Sequence, residues 1–185
     1  RWQGLFDRVH KNVGEIHIGG VGAGAGGVEV LLAIEHRLRG DFAAAGGSSD
    51  HIKFHLFTDA DDILVSHNLS VRRRFNRVLR ERGIEVHTGH KVIGVSGGAI
   101  ECENGVNFKL DEILWVTPAG AAPWLENDTK LNLDDRGFIA VKETLETESH
   151  PDIFAAGDIA SVASHPRPKA GVFAVRQGPP LAENL

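Results

Sequence analysis

The sequence predicts an α/β fold in which a doubly wound parallel sheet carries an inserted antiparallel β-meander. Strand and helix patterns alternate over the first half of the chain, a glycine-rich loop joins the first strand to the next helix, and two hairpin signals follow the third strand. Because βαβ units form parallel sheets with right-handed crossovers, we expect a Rossmann-like domain with three layers.

The first half of the chain supplies the parallel strands. Apolar residues at helical spacing predict a helix over 2–11, and alternation from Glu15 predicts a strand that closes at Val21. Good helix formers predict a helix over Val28–Arg39, and the small and polar residues of Gly40–Asp50 predict a loop. A strand, a helix and another strand are then expected over Ile52–Thr58, Ser70–Arg82 and Ile84–His87.

The second half of the chain begins with the meander. Gly97-Gly98 and Asn104-Gly105 are hairpin signals that divide residues 91–110 into three short strands. The apolar strand Ile113–Val116 then leads out of the domain near Pro118. We expect the remainder to be too short for a core of its own, with strands over Phe138–Val141 and Ile153–Ala155 and a helix over Val172–Leu185.

Composition argues against several classes of function. The 185 residues carry 20 Lys and Arg against 25 Asp and Glu, a net charge of −5, which disfavours nucleic acid or an anionic membrane as the main partner. A single cysteine cannot form an internal disulfide or a cysteine-based zinc site. No apolar run reaches the length needed to span a bilayer, so we expect a cytoplasmic protein.

The ten histidines raise the question of a metal site. His51 and His55 share one face of a predicted strand, and His87 lies near His90. No cysteine or carboxylate cluster with ligand spacing joins either pair, so we interpret them as polar histidines on strand faces and expect no metal.

The loop after the first strand contains Gly22-x-Gly24-x-x-Gly27. In such a loop the first glycine permits a tight turn, the second lets the backbone approach a pyrophosphate, and the third allows the helix to pack on the strand. Free N–H groups and the helix dipole then hold the phosphate. The pattern predicts dinucleotide binding over the loop, including Ala23 and Ala25; the alternative is a purely structural turn.

The end of the second strand bears on the choice of nucleotide. The strand ends in Thr58-Asp59, followed by Asp61 and Asp62, and no arginine occurs before Arg72. An acidic residue here suits the ribose 2′-OH of NADH, whereas NADPH binders place an arginine there. We therefore expect NAD(H) to be preferred over NADP(H). A solvated turn is the alternative interpretation, and the arginines of the next helix leave NADPH binding open.

A second motif lies near the other end, in residues 149–160. A short apolar strand is predicted to end in small residues and Gly157, which puts Asp158 at the carboxyl end of the strand and at the mouth of a helix. Ligands bind at that edge of α/β sheets. Taken alone, the aspartate could simply cap a helix.

Together the two motifs resemble the two-dinucleotide-binding flavoproteins, also called pyridine nucleotide-disulfide oxidoreductases. Glu29 extends the glycine loop to the form with which the NAD domain of that family opens. The resemblance implies that Asp158 hydrogen-bonds the ribityl chain of FAD and that Glu29 lies near the nicotinamide. Residues matching the family pattern around Asp158 are Ser149, Pro151, Ile153, Phe154, Ala155 and Gly157.

Two features depart from the family pattern. The segment 116–123 is longer than the family's Ala-Thr-Gly-Pro and has Pro118 where glycine is expected, although Gly120 is kept as a cofactor-binding candidate. The family's first glycine motif, which binds the adenosine diphosphate of FAD, is absent. We therefore expect an internal piece of a larger flavoenzyme: a linker helix from the FAD domain (1–13), an NAD(H)-binding domain (14–118) and an incomplete C-terminal part of the FAD-binding domain (119–185).

The resemblance also bears on the reaction. Cys102 has no partner cysteine, which favours members that pass hydride from NADH to FAD and electrons on to a non-disulfide acceptor such as a quinone. No side chain is assigned a catalytic role, and we expect the isolated chain to be inactive and not to retain FAD. A non-catalytic nucleotide-binding or regulatory module of a larger fused protein is the alternative.

The C-terminal segment 167–185 resembles type II NADH dehydrogenase-like proteins and also the flavoprotein module fused to selenide, water dikinase. By resemblance it runs beside the flavin, with Lys169 and Ala170 as binding candidates. The alternative is an ordinary amphipathic helix after a basic loop. The residues that carry the resemblance are Arg167, Lys169, Ala170, Gln177 and Gly178.

Overall fold

The computed structural model describes residues 2–11, 14–117 and 120–185. The chain divides into two compact units, residues 1–117 and 118–185. The expected domain boundary at 118/119, and the Pro118 that departs from the family pattern, lie outside the described residues.

The first unit is built around a parallel sheet. Its elements are, in chain order, α1 (Trp2–Lys11), β1 (Ile16–Val21), α2 (Ala25–Ala44), β2 (Ile52–Phe57), α3 (Leu69–Glu81), β3 (Ile84–His87), β4 (Val92–Ser96), β5 (Ala99–Cys102), β6 (Asn107–Lys109) and β7 (Glu112–Trp115). The parallel strands are ordered β3-β2-β1-β7, and β4, β5 and β6 form the expected antiparallel meander.

Alternation along the strands sends side chains to two separate cores. Ile18 and Phe54 face the helices, and Val9 of α1 is buried in the same cluster. Phe57 faces the other way, into a cluster with Ile100 and other apolar side chains of the meander. Helices, parallel sheet and meander therefore form three layers, which confirms the predicted α/β Rossmann-like fold.

Part of one predicted loop is helical. α2 continues to Ala44, so Gly40 lies inside the helix and the expected Gly40–Asp50 loop begins five residues later. The reason is tertiary, because Phe42 is buried in the first core and its ring packs at a tilt against that of Phe6. That packing extends a helix which the glycine alone would weaken.

The second unit contains α4 (Pro123–Asp128), β8 (Ile139–Val141), a short 3₁₀ helix (Gly157–Ile159), β9 (Ala160–Val162) and α5 (Gly171–Asn184). β8 and β9 pair in parallel. The expectation that this part lacks a core is wrong, since it has its own buried cluster of Leu125, Ile139, Val141, Leu145, Ala155 and Ala160.

The strand predicted over Ile153–Ala155 is also wrong. Of these residues only Phe154 makes a bridge, to Glu146. Asp158 lies in the 3₁₀ helix and precedes β9 instead of ending a strand. The apolar run is short and irregular because it returns to the loop around Leu145, whose carbonyl oxygen accepts from the Ala155 N–H.

Within the described part of the chain, none of the helices has both the length and the apolar character that crossing a membrane requires.

Candidate functional site

The glycine loop between β1 and α2 has the backbone geometry of a phosphate cradle. Gly22 has φ +107°, a value that side chains disfavour. A Cβ atom at Gly27 would overlap the carbonyl oxygen of Gly22, so the start of α2 packs directly on the loop backbone. A Cβ atom at Gly24 would meet no other atom within 4 Å. The open side of the loop is therefore at Gly24.

The N-terminus of α2 points its free backbone donors at this open side. Gly24 is the N-cap and supplies no side-chain cap, and the first described helical bond of the segment runs from the Val28 N–H to the Gly24 carbonyl at 3.1 Å. Gly24 and Ala25 are exposed, whereas Ala23 is buried. A 20-residue helix with unsatisfied N–H groups and a positive dipole end suits an anion.

Glu29 is exposed on the second turn of α2. Among the described residues, none forms a hydrogen bond or ion pair with the Glu29 carboxylate.

The loop after β2 is tied to the end of β3. The Thr58 N–H donates to the His87 carbonyl at 3.0 Å, and the Thr58 carbonyl accepts from the His90 N–H at 2.8 Å. Thr58 is buried, and Asp59 follows it in an exposed position. Asp59 interacts electrostatically with Lys91, whose ammonium is bonded to Glu103 at 2.7 Å.

Asp62 has a structural role. Its carboxylate accepts from the Asn76 side chain at 2.7 Å and from the Ile63 N–H at 2.8 Å, and it pairs with Arg72 at 2.7 Å. The hydrogen bond from Asn76, with those from Ile63 and Arg72, lowers the pKa of Asp62 despite some opposition from burial. The fold thus brings Arg72 to the loop that contains Asp59, although the two residues are separated in sequence. There the Arg72 guanidinium is paired with the Asp62 carboxylate.

Leu64 is a site residue that sequence reasoning missed. It has φ +51°, is buried, and donates its N–H to the Ala23 carbonyl at 2.9 Å. This bond fastens the loop after β2 to the glycine loop. A leucine in the left-handed region costs free energy and persists only where packing enforces that conformation. Nothing in the sequence around Leu64 indicates this conformation.

The second unit has a cavity of about 320 Å³ beside the 3₁₀ helix. Gly157 and Asp158 line one side and α5 lines another through Gln177. Gly157 has φ +76° and donates its N–H to Gln177 Oε1 at 2.6 Å. Asp158 is exposed, so its carboxylate is available to a ligand.

Lys169 reaches into the same cavity. Its Nζ donates to the Ala160 carbonyl at 2.5 Å and lies 4.0 Å from the centre of the Phe138 ring. Burial lowers the pKa of Lys169, with Arg136 adding to the effect and Asp134 opposing it. Burial opposes ionisation of Asp134, but hydrogen bonds from Ser161 and from the Phe138 and Arg136 N–H groups lower its pKa overall.

Two further candidates of the second unit lie apart from that cavity. Ala170 is half-buried and is the N-cap of α5. Gly120 is exposed, with no described atom within 4 Å of the Cβ position.

The histidines are grouped differently from the sequence interpretation. His55 contacts His17 and His87 on the neighbouring strands, at 2.9 and 3.2 Å between ring nitrogens. The sequence pairs His51 with His55 and His87 with His90, whereas the structure brings His55 to His87 and adds a carboxylate, since Glu85 Oε2 lies 3.5 Å from His55 Nδ1. Burial is the main cause that lowers the pKa of both His55 and His87, and Glu85 opposes it.

Comparison with known proteins identifies the class. Residues 6–178 match the model of the pyridine nucleotide-disulphide oxidoreductase family. The chain belongs to this family.

Curated relatives are considerably longer than this chain. It is 26% identical over 157 residues to the mitochondrial external alternative NAD(P)H-ubiquinone oxidoreductase B1 of Solanum tuberosum, covering 81% of this chain and 27% of that protein. It is 27% identical over 157 residues to the type II NADH:quinone oxidoreductase Ndh of Mycobacterium tuberculosis, covering 79% and 34%. The chain thus spans about a third of the length of these relatives.

Solved structures share the fold. The structure of NDH2 from Plasmodium falciparum in complex with NADH superposes with a TM-score of 0.70 at 16% identity, covering 86% of this chain and 36% of that one.

Proposed function

We propose that this chain is the NAD(H)-binding portion of an FAD-dependent oxidoreductase that passes hydride from NADH to FAD and electrons to a non-disulfide acceptor such as a quinone. The observation that carries the proposal is the open backbone at Gly24, at the uncapped start of α2. The relatives named NAD(P)H-ubiquinone and NADH:quinone oxidoreductases support the acceptor class.

The glycine loop fits a dinucleotide pyrophosphate. Gly22 turns the chain, Gly27 lets the helix approach, and Gly24 leaves room where phosphate oxygens would accept N–H donors. Ala23 and Ala25 flank Gly24 without side chains that would obstruct a ligand. Glu29, exposed one turn further along α2, is available to the nicotinamide end.

The second unit fits one side of a flavin site. Asp158 and Lys169 would hold the ribityl hydroxyls and polar ring edge of FAD, with Gly157 and Ala170 shaping the backbone and Gly120 a further candidate. When bound, the flavin supplies the two-electron chemistry, and the protein binds and orients the reactants. Lys169 is bonded to the Ala160 carbonyl, so its ammonium is held in a fixed position.

We also propose that the site prefers NADH to NADPH. Asp59 is exposed at the end of β2, where a carboxylate accepts from a ribose 2′-OH and repels a 2′-phosphate. The nearby Arg72 cannot attract that phosphate freely because Asp62 pairs with it at 2.7 Å.

Titration of NADH and NADPH against protein fluorescence tests this proposal. Trp115 is a suitable reporter, since it is half-exposed and lies opposite Val21 at the end of β1. We expect NADH to bind more tightly. Equal or reversed affinities would contradict the preference, and failure of both nucleotides to bind would contradict the site.

The variant Asp62→Asn sharpens the test. Removing the charge that pairs with Arg72 is expected to raise NADPH affinity relative to NADH. Asp61→Asn is the matched control, because Asp61 is an exposed carboxyl in the same loop. The same shift in both variants would mean that loop charge in general, and not release of Arg72, sets the preference.

The same nucleotide site could belong to two kinds of longer protein. One is a type II NADH dehydrogenase-like protein, and the other is a fusion with selenide, water dikinase. They differ in the acceptor and in the attached domains. Quinone reduction by the longer protein would favour the first.

A further inference from the structure

A row of histidines crosses the sheet on the face that carries the meander. His17 of β1, His55 of β2 and His87 of β3 alternate with apolar residues that face the helices. Their rings stack in sequence, with centroids 5.2 Å apart for the first pair and 5.4 Å for the second. These residues are 38 and 32 positions apart in the chain, so only strand pairing brings them together.

Glu85 completes a cluster with two of these histidines. It lies directly opposite His55 in the parallel register. Glu85 Oε2 is 3.5 Å from His55 Nδ1 and 3.9 Å from His87 Nε2, and the two nitrogens are 3.2 Å apart.

These three distances form a triangle of the size that a tetrahedral metal ion requires. With zinc bonded to nitrogen and oxygen at about 2.0–2.2 Å, tetrahedral geometry separates the donor atoms by about 3.3–3.6 Å. The donors need only small adjustments to surround an ion. Two imidazoles and one carboxylate suit zinc and its neighbours in the first transition row, and a water in the fourth position is typical of open sites with this donor set.

The surroundings fix the rings in the orientation that the ion needs. His87 stacks on Phe57 at 4.5 Å between centroids and contacts Phe108 of the meander at 4.8 Å. His17 Nδ1 lies 2.9 Å from His55 Nε2, so that nitrogen can donate its proton to His17 while Nδ1 binds metal. A hydrogen bond on the second ring nitrogen is the usual support of a metal-bound histidine.

We propose that His55, Glu85 and His87 form a binding site for a divalent transition-metal ion, zinc being the preferred one, with His17 as a positioning residue. The ion takes the place of the proton in the His55–His87 hydrogen bond. The site is open on one side, since the Glu85 side chain is 67% exposed while those of His55 and His87 are 10% and 18% exposed. The ion would join β2 to β3 at the edge of the sheet.

Equilibrium dialysis of the 185-residue chain, without affinity-tag histidines, tests the site with Zn²⁺ as the probe. We expect one equivalent of zinc to be retained. Co²⁺ should bind with the strong visible absorption of a tetrahedral ion, and Mg²⁺ should not compete.

Glu85→Gln is the decisive variant because Glu85 is exposed, so we expect its replacement to leave the fold intact. Its zinc affinity should fall at least ten-fold, as should that of His87→Gln, and His17→Gln should weaken binding about 10–100-fold. Glu81→Gln and His36→Gln are the matched controls, since both residues are exposed on helices away from the cluster.

Three results would overturn the proposal. One is failure of the folded chain to retain zinc. Another is an unchanged zinc affinity in a Glu85→Gln protein that circular dichroism shows to be folded. The third is equal loss of affinity in the control variants, which would indicate binding by scattered surface histidines.

Discussion

Replacing Gly24 with alanine should weaken nucleotide binding while leaving the stability of the fold nearly unchanged. Gly24 has φ −72° and ψ −179°, which alanine adopts readily, and a methyl group there meets no other atom within 4 Å. The free protein therefore accommodates the substitution. In the proposed complex the same methyl group occupies the space of the pyrophosphate.

The expected magnitudes follow from this geometry. A hydrogen bond from a backbone N–H to a charged oxygen contributes about 1.5–3 kcal/mol, so losing one weakens NADH binding about ten- to hundred-fold. Stability changes little, because two effects oppose each other. Alanine restricts the unfolded chain, which adds about 0.4–1 kcal/mol, but it is a poorer N-cap than glycine by about 0.5–1 kcal/mol.

The assay pairs fluorescence titration with NADH and urea unfolding of the same samples. Gly40→Ala is the matched control: Gly40 is exposed inside α2 and equally free of neighbours. It should raise the free energy of unfolding by about 0.8–1 kcal/mol and leave NADH affinity unchanged. A Gly24→Ala protein that is folded and binds NADH like the parent chain would refute the phosphate role of the loop.

Three further predictions concern stability and reactivity. Gly27→Ala should lower the free energy of unfolding by about 1–3 kcal/mol, because its methyl group overlaps the Gly22 carbonyl oxygen, and unchanged urea midpoints would contradict the packing described. The pKa of Asp62 is lowered below its ordinary value of 3.8, chiefly by the hydrogen bond from Asn76, so its stabilising contribution is complete above that value and disappears as pH falls through the folded pKa. Asp62→Asn should therefore flatten the loss of stability as pH falls below about 4 in urea titrations, and an unaltered slope would show that Asp62 does not contribute. Burial raises the pKa of the Cys102 thiol, so a thiol reagent should label it only on unfolding, and rapid labelling of the native chain would exclude a purely structural cysteine.

Much of the fold follows from local patterns. Apolar periodicity located β1, β2 and α3 to within a residue or two, and Gly97-Gly98 identified the first hairpin of the meander. These signals are local because strand alternation, helix periodicity and turn conformation depend on residues close in sequence. α2 was predicted too short because burial of Phe42, a tertiary effect, extends it through Gly40.

The candidate nucleotide site was only partly accessible from sequence. The spacing of Gly22, Gly24 and Gly27 predicts their conformations because each role is a backbone role that only glycine fills. Leu64 gave no signal, since any apolar residue can be buried and its left-handed backbone is imposed by the neighbouring loop.

By itself the sequence determined the α/β class, the strand-loop-helix cradle and the resemblance to two-dinucleotide-binding flavoproteins. The tertiary structure decided that Arg72 meets Asp62, that Asp158 precedes a strand, and that His55 meets Glu85 and His87. The physical reason is register: pairing of distant strands selects which side chains share a face, and a slip of one residue would send each to the other side. Motifs whose residues are neighbours can be recognised in the sequence. Clusters of side chains that strand pairing brings together exist only in the folded chain.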